Sequence, residues 1–196
     1  MSFVDRFYSF IVELTAADRN LYGKLRFKIP KYPDEDFIDL AARVLAYLHC
    51  YTPEIQFSAN PTNHQTPTLS SLAPSGDYAS YAFVGLPDLK SLRLAVRQQE
   101  QATCAVYFYR PEQLERFCHQ LRGSKENWVN EIKFFMIRHP DLASIIPTDR
   151  ASINWQMIEV DDIFYLEGDG LSHQINLEAI DIWSEFQESL KEIYSA

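Results

Sequence analysis

Apolar and polar positions repeat along this chain with two periods, and each change of period marks a new element. Residues 3–14 are rich in aromatic and β-branched types and predict a strand, broken at Thr15-Ala16-Ala17-Asp18-Arg19-Asn20. From Gly23 to Pro30, apolar Leu25, Phe27 and Ile29 alternate with basic Lys24, Arg26 and Lys28, the two-residue period of a strand with one buried face. Pro33 followed by Asp34, Glu35 and Asp36 predicts a helix start with acids near the positive end of the helix dipole. Behind it Phe37, Leu40, Ala41, Val44, Leu45 and Leu48 recur three and four residues apart, so one stripe of a helix faces a core until Pro53.

Ile55-Gln56-Phe57 predicts a short strand, and the polar stretch from Ser58 to Asp77, holding Pro61, Pro67 and Pro74, reads as a long loop. Tyr78 to Val84 predicts a strand, Gly85-Leu86-Pro87-Asp88 a helix start, Thr103 to Tyr109 a buried strand and Pro111 the start of another helix. That order predicts an α/β core with some parallel pairing. The pattern then changes to strands at Ile132–Ile137, Ser152–Val160, Ile163–Leu166 and Ser172–Leu177, with Glu167-Gly168-Asp169-Gly170 as a hairpin turn. Ile180, Trp183, Phe186, Leu190 and Ile193 mark a terminal amphipathic helix. The expectation is one domain over residues 1–180 with a helical extension over 181–196.

A hydrophobic content of 46% with 23% charged residues places the chain among folding globular sequences. The net charge of −9 opposes a broad footprint on nucleic acid, because affinity for phosphate comes from Lys and Arg displacing counterions. No uninterrupted apolar run reaches a membrane-spanning length, and Met1-Ser2-Phe3-Val4-Asp5-Arg6 carries no secretory signal pattern, so a cytoplasmic protein is expected. Cys50, Cys104 and Cys118 are odd in number and widely spaced, which fits three reduced, small apolar residues.

Candidate chemistry is sparse. The chain has no Gly-x-Ser-x-Gly elbow, no phosphate-binding Gly-Lys-Ser/Thr loop and no His-Glu-x-x-His pair. His49, His64, His119, His139 and His173 share no ligand spacing and read as surface or capping residues. Lys24, Arg26 and Lys28 on a strand, and Lys90, Arg93 and Arg97 on a helix, form two basic stripes that could meet an extended anion. The solvated face of an edge strand or helix is the preferred reading of each stripe, since charge at a strand edge discourages aggregation.

Several runs carry a resemblance. Ala17-Asp18-Arg19-Asn20, Tyr32-Pro33-Asp34-Glu35, Arg43-Val44-Leu45-Ala46-Tyr47-Leu48, Gln56-Phe57-Ser58 and Gly85-Leu86-Pro87-Asp88 resemble, in order and spacing, the YaeQ family of small bacterial proteins. Ser152-Ile153-Asn154-Trp155 through Ile175-Asn176-Leu177 looks like the family's final strands. The resemblance implies a restriction-endonuclease-like, PD-(D/E)XK-like core: a mixed sheet flanked by helices, with additional C-terminal antiparallel strands. In such a site acidic residues surround Mg²⁺, a hard cation that demands oxygen ligands.

The family pattern places a helical Glu at Glu35, an acid after Pro67 and an acid in the strand before Gly85. This chain has Thr68 and Phe83 at the second and third positions. Glu35 is the one retained acid, a vestigial catalytic candidate. The resemblance therefore implies a catalytically inactive, nuclease-like protein that holds no metal and needs no cofactor, with an unidentified partner that nucleic acid is not barred from being. The competing reading is a Mg²⁺-dependent nuclease that joins Glu35 to displaced acids such as Asp77 or Asp88. A third is a protein-binding surface on the terminal helix, through Trp183 and Phe186.

Overall fold

The computed structural model describes residues 4–58, 64–99, 101–121, 127–168 and 170–187. Its contacts group into two compact units, the described parts of Met1–Ala41 with Ile137–Glu178 and those of Ala42–Met136 with Ala179–Ala196.

The first unit is built from strands. β1 (Arg6–Ala16) pairs antiparallel with β2 (Leu21–Lys31) and parallel with β8 (Ser152–Val160). β9 (Ile163–Gly168) and β10 (Leu171–Ile180) follow as antiparallel neighbours, giving the order β2-β1-β8-β9-β10. The β1–β2 connection is a 3-10 turn over Ala17–Arg19 that closes with Asn20 in the left-handed region at φ 52°. Asp161 and Asp162 both take positive φ, 49° and 60°, the requirement of a two-residue hairpin whose twist matches its strands. Alternation decides what is buried: Tyr8, Phe10, Val12 and Leu14 of β1 and Ile153, Trp155 and Met157 of β8 point into the core. Phe10 stacks on Phe27 at 5.1 Å and meets Trp155 edge-on.

Glu159 breaks the apolar rule of that face. It is buried, and burial pushes its carboxyl above the usual range while Arg19, bonded to it from the 3-10 turn, pulls it back. The Asp18-Arg19 motif is thereby a structural tie between the first turn and β8.

The second unit alternates strands with helices. β5 (Tyr78–Val84), β6 (Thr103–Phe108) and β7 (Ile132–Arg138) run parallel, joined through α2 (Leu89–Gln98) and α3 (Pro111–Gln120). β3 (Gln56–Phe57) and β4 (Leu69–Leu72) extend the sheet antiparallel to β5. α2 buries Leu92 and Val96, and α3 buries Leu114, Phe117 and Cys118, against Phe83, Val106, Phe108 and Phe134. Asp88 caps α2 by accepting from Ser91 N at 2.9 Å, and the Ser91 hydroxyl, then that amide, holds its carboxyl below the ordinary range. Cys104 and Cys118 are buried and Cys50 is half-buried; all three are thiols rather than disulfide partners, and desolvation lifts the Cys104 thiol to about 12. No described helix is long and apolar enough to cross a membrane.

Three boundaries differ from the sequence pattern. α1 (Phe37–His49) starts at Phe37, because Asp36 and Asp39 bond reciprocally, each backbone N–H to the other's carboxylate at 2.9 Å, and so form the cap. Glu35 thus precedes the helix. The loop expected from Ser58 to Asp77 contains β4, a Leu-Ser-Ser-Leu strand whose serines hide it from an apolar count; Ser71 Oγ and Ser80 Oγ lie 2.8 Å apart across the β4–β5 ladder. Ile180 closes β10, and the terminal helix is described only over 182–187. Leu190 and Ile193 lie outside the described residues, as does Asp169 of the expected hairpin turn.

Gly168 at the end of β9 is required by close approach. A Cβ there would sit 2.4 Å from Asn154 O and 2.6 Å from Trp155 Cδ1. Gly168→Ala should cost about 1–3 kcal/mol through forced backbone displacement, read as a lower urea midpoint at an unchanged m-value.

Candidate functional site

Glu35 lies in the first unit, in the turn between β2 and α1, and is 8% exposed. Its Oε2 accepts from Tyr32 N at 2.9 Å, and Glu35 N donates to Tyr32 O at 3.1 Å. The carboxylate therefore has a structural task, satisfying an amide at the turn that launches α1.

Thr68 and Phe83 lie in the second unit, side by side where β4 meets β5. Thr68 is 3% exposed and has all three of its polar groups engaged: its amide donates to Ala82 O at 2.8 Å, its carbonyl accepts from Ser58 N at 2.8 Å, and its Oγ1 accepts from Val84 N at 3.1 Å. A short hydroxyl suits this location, where a buried amide would otherwise lack a partner. Phe83, 2% exposed, is part of the apolar cluster with Tyr81, Val106 and Phe108. On β5 its parity matches Tyr81, whose phenol burial holds far above its ordinary titration range. A charge in this layer would lose its hydration with no paired cation beside it among the residues of that cluster.

The displaced acids are also committed to local structure. Asp77 is exposed in the turn before β5, where Ser75 Oγ donates to its Oδ2 at 2.9 Å and its carbonyl accepts from Ala73 N at 2.8 Å. Asp88 accepts from both the amide and the hydroxyl of Ser91.

Of the basic stripes, Lys24, Arg26 and Lys28 do point to the exposed side of β2. Lys24 Nζ lies 2.9 Å from Glu13 Oε1, so part of that charge is already answered by the adjacent strand. The register continues Lys24, Glu13, Gln156, Glu167 and Ser172 straight across five strands, lining an open pocket of about 520 Å³ whose ionised groups carry one positive and two negative charges. Lys90 is exposed on α2 and Arg93 half-buried, the helix's solvated flank. On the terminal helix, Trp183 and Phe186 pack on the second unit's core, and Trp183 Nε1 donates to Asn130 Oδ1 at 2.6 Å, which favours a structural role over a partner surface.

Sequence spacing gave no sign of one feature of the first unit. His139 and His173, 34 positions apart, bring their rings together with His173 Nδ1 3.2 Å from His139 Nε2. Burial, then the neighbouring His139, lowers the His173 pKa below its ordinary value. Only the paired strands and the loop after β7 create this proximity, so no local motif could have announced it.

Two measurements test these assignments. Thr68→Val removes the acceptor of Val84 N while keeping the shape, and should destabilise by about 1–3 kcal/mol in urea unfolding. For His173, the unfolded chain takes up the proton first, so its contribution is present above the ordinary imidazole pKa of about 6.5 and is lost as pH falls from there toward the folded value. The unfolding midpoint should drop between about pH 7 and pH 5.5, and the drop should shrink in His173→Asn; an identical pH profile in the variant would refute the assignment.

Solved structures resemble this fold. The YaeQ protein from Pseudomonas syringae matches with a TM-score of 0.74 at 18% identity, covering 89% of this chain and 94% of that one. The YaeQ protein from Xanthomonas axonopodis pv. citri matches with a TM-score of 0.75 at 17% identity, covering 88% of this chain and 96% of that one. No curated protein matches. At such identities the likeness carries the fold alone, but residues 1–177 also match the family described as YaeQ protein. The mixed α/β architecture and that match together establish that the chain belongs to the YaeQ family.

Proposed function

We propose that this chain is a non-catalytic member of its family, a binding or interaction protein on a scaffold of the PD-(D/E)XK nuclease kind. In it, two metal-ligand positions have been given over to packing. The observation that carries this reading is the pair at the β4–β5 junction: the Thr68 hydroxyl is spent on Val84 N, and Phe83 is sealed in an apolar layer. A benzyl group offers no lone pair to a hard cation, and a dry layer raises the cost of any charge nearby. Glu35 fits the same reading, since its carboxylate supports the Tyr32 turn.

The alternative, a Mg²⁺-dependent nuclease recruiting Asp77 or Asp88, would have to dismantle a turn and a helix cap to free its ligands. The ionic balance of the chain, at −9, also favours a partner other than bulk nucleic acid, and the reading places the protein in the cytoplasm. Under this reading the protein needs no cofactor.

Calorimetric titration with Mg²⁺ and Mn²⁺ should show no saturable binding up to millimolar metal. Purified protein should leave single-stranded and duplex DNA and RNA intact with metal and with chelator alike. Chelator-sensitive cleavage that disappears in Glu35→Ala would overturn the proposal and establish the nuclease reading.

A further inference from the structure

His139 and His173 offer two imidazole nitrogens whose separation has a chemical meaning. A metal held at 2.0–2.1 Å by two nitrogens in tetrahedral geometry places them about 3.3 Å apart. The observed His173 Nδ1 to His139 Nε2 distance is 3.2 Å, with ring centroids 5.1 Å apart and planes inclined by 64°.

Both rings stand on anchored backbone. His173 belongs to β10, two residues before buried Ile175. His139 follows Arg138, the last residue of β7, and precedes Pro140 and a 3-10 turn over Leu142–Ile145 that is pinned by buried Leu142 and Ile145. Such support limits the reorganisation that a ligand would have to pay for. The carboxylate of Asp141 is exposed beside the pair and close enough to act electrostatically on His173.

The proton positions follow from one amide. Asp141 N donates to His139 Nδ1 at 3.1 Å, so that nitrogen is a lone-pair acceptor and the neutral ring carries its proton on Nε2. That proton points to His173 Nδ1, which must then be the acceptor, leaving the His173 proton on Nε2. Nε2 of His173 is buried without a hydrogen-bond partner among the described residues. The free protein therefore keeps a single proton in the space between the two rings, where a cation would otherwise sit.

We propose that His139 Nε2 and His173 Nδ1 form a binding site for a late first-row divalent cation, Zn²⁺, Ni²⁺ or Cu²⁺, with water completing its coordination. Imidazole suits these ions and is a poor ligand for Mg²⁺, so the site is independent of the acid positions at 35, 68 and 83. Binding moves the His139 proton from Nε2 to Nδ1 and releases the Asp141 amide from that nitrogen, with no net proton lost from two neutral rings. As the pH falls, protons compete with the cation for the imidazole nitrogens, and affinity falls.

The test is calorimetric titration of the full chain with ZnCl₂ near neutral pH, together with electron paramagnetic resonance of the Cu²⁺-loaded protein. One equivalent should bind, with nitrogen hyperfine structure from two imidazoles. Affinity should fall at least about tenfold in His139→Ala and in His173→Ala, and by a similar factor at about pH 5.5. His64→Ala, a change at an exposed histidine elsewhere, should leave binding unchanged. His139→Ala, on the connecting segment, guards against a folding defect in the strand variant, and thermal unfolding of each variant confirms that it is folded. Absence of saturable Zn²⁺ binding, or binding equal in wild type and both folded variants, overturns the site.

Discussion

Alternation of faces along β5 and β6 governs what the second unit can contain at its centre. Because neighbouring side chains on a strand point to opposite faces, Tyr81 and Phe83 share a face, and parallel pairing aligns them with Cys104 and Val106. α2 and α3 cover that face with Leu92, Val96, Leu114 and Phe117, so position 83 is dry before any question of chemistry arises. An acid at this position would need a cation or a cluster of donors to offset its lost hydration. The aromatic ring removes that requirement and lets the strand serve as ordinary core. Thr68 serves the same layer, because Val84, two residues beyond the Leu69–Ala82 pair, has a buried amide that needs an acceptor, and the Thr68 hydroxyl provides one.

The same principle, that every buried polar group must find a partner, orders the first unit. Glu159 is an acid on an apolar face and is tolerated because Arg19 reaches it from the β1–β2 turn. Glu35 is buried with its carboxylate on the Tyr32 amide. These two acids differ from Asp77 and Asp88, which lie at turns where solvent or a cap supports them. Read from sequence, Glu35, Asp77 and Asp88 are candidates of one kind, and nothing singles out Glu159. Burial and hydrogen bonding separate them into a paired charge, a turn support, a turn acid and a helix cap.

Legibility of the fold followed the strength of the periodic signal. β5, β8 and the α2 cap are plain in the sequence because Tyr78–Val84 is compact and aromatic, Ser152–Val160 alternates without a slip, and Asp88 stands ahead of Ser91. β4 is hidden because Leu69-Ser70-Ser71-Leu72 is half hydroxyl and stands between Pro67 and Pro74 in an apparent loop, while its pairing with β5 is not carried by its own pattern. The sequence does not mark the start of α1, since Asp34, Glu35 and Asp36 all satisfy the local rule for a first turn; only the reciprocal bonds of Asp36 and Asp39 identify the cap. The identity of the residues at 35, 68 and 83 was legible, but their occupations were not, because a hydroxyl's partner and a ring's neighbours are set by strands distant in sequence.

The histidines carry the same lesson in reverse. Ligand motifs are recognised in sequence when both donors sit on one helix turn or one knuckle, where spacing translates directly into distance. His139 and His173 belong to different strands' ends, and their approach depends on the hairpin of β9 with β10 and on the anchored turn after β7. In the free protein the pair is a hydrogen-bonded couple whose proton is fixed by the Asp141 amide. A cation between the two rings would displace that proton to His139 Nδ1, at the cost of the Asp141 amide bond to that nitrogen. Imidazole nitrogens suit late first-row cations and hard oxygens suit Mg²⁺, so the site proposed at the histidine pair does not depend on what stands at positions 35, 68 and 83, which other parts of the backbone hold.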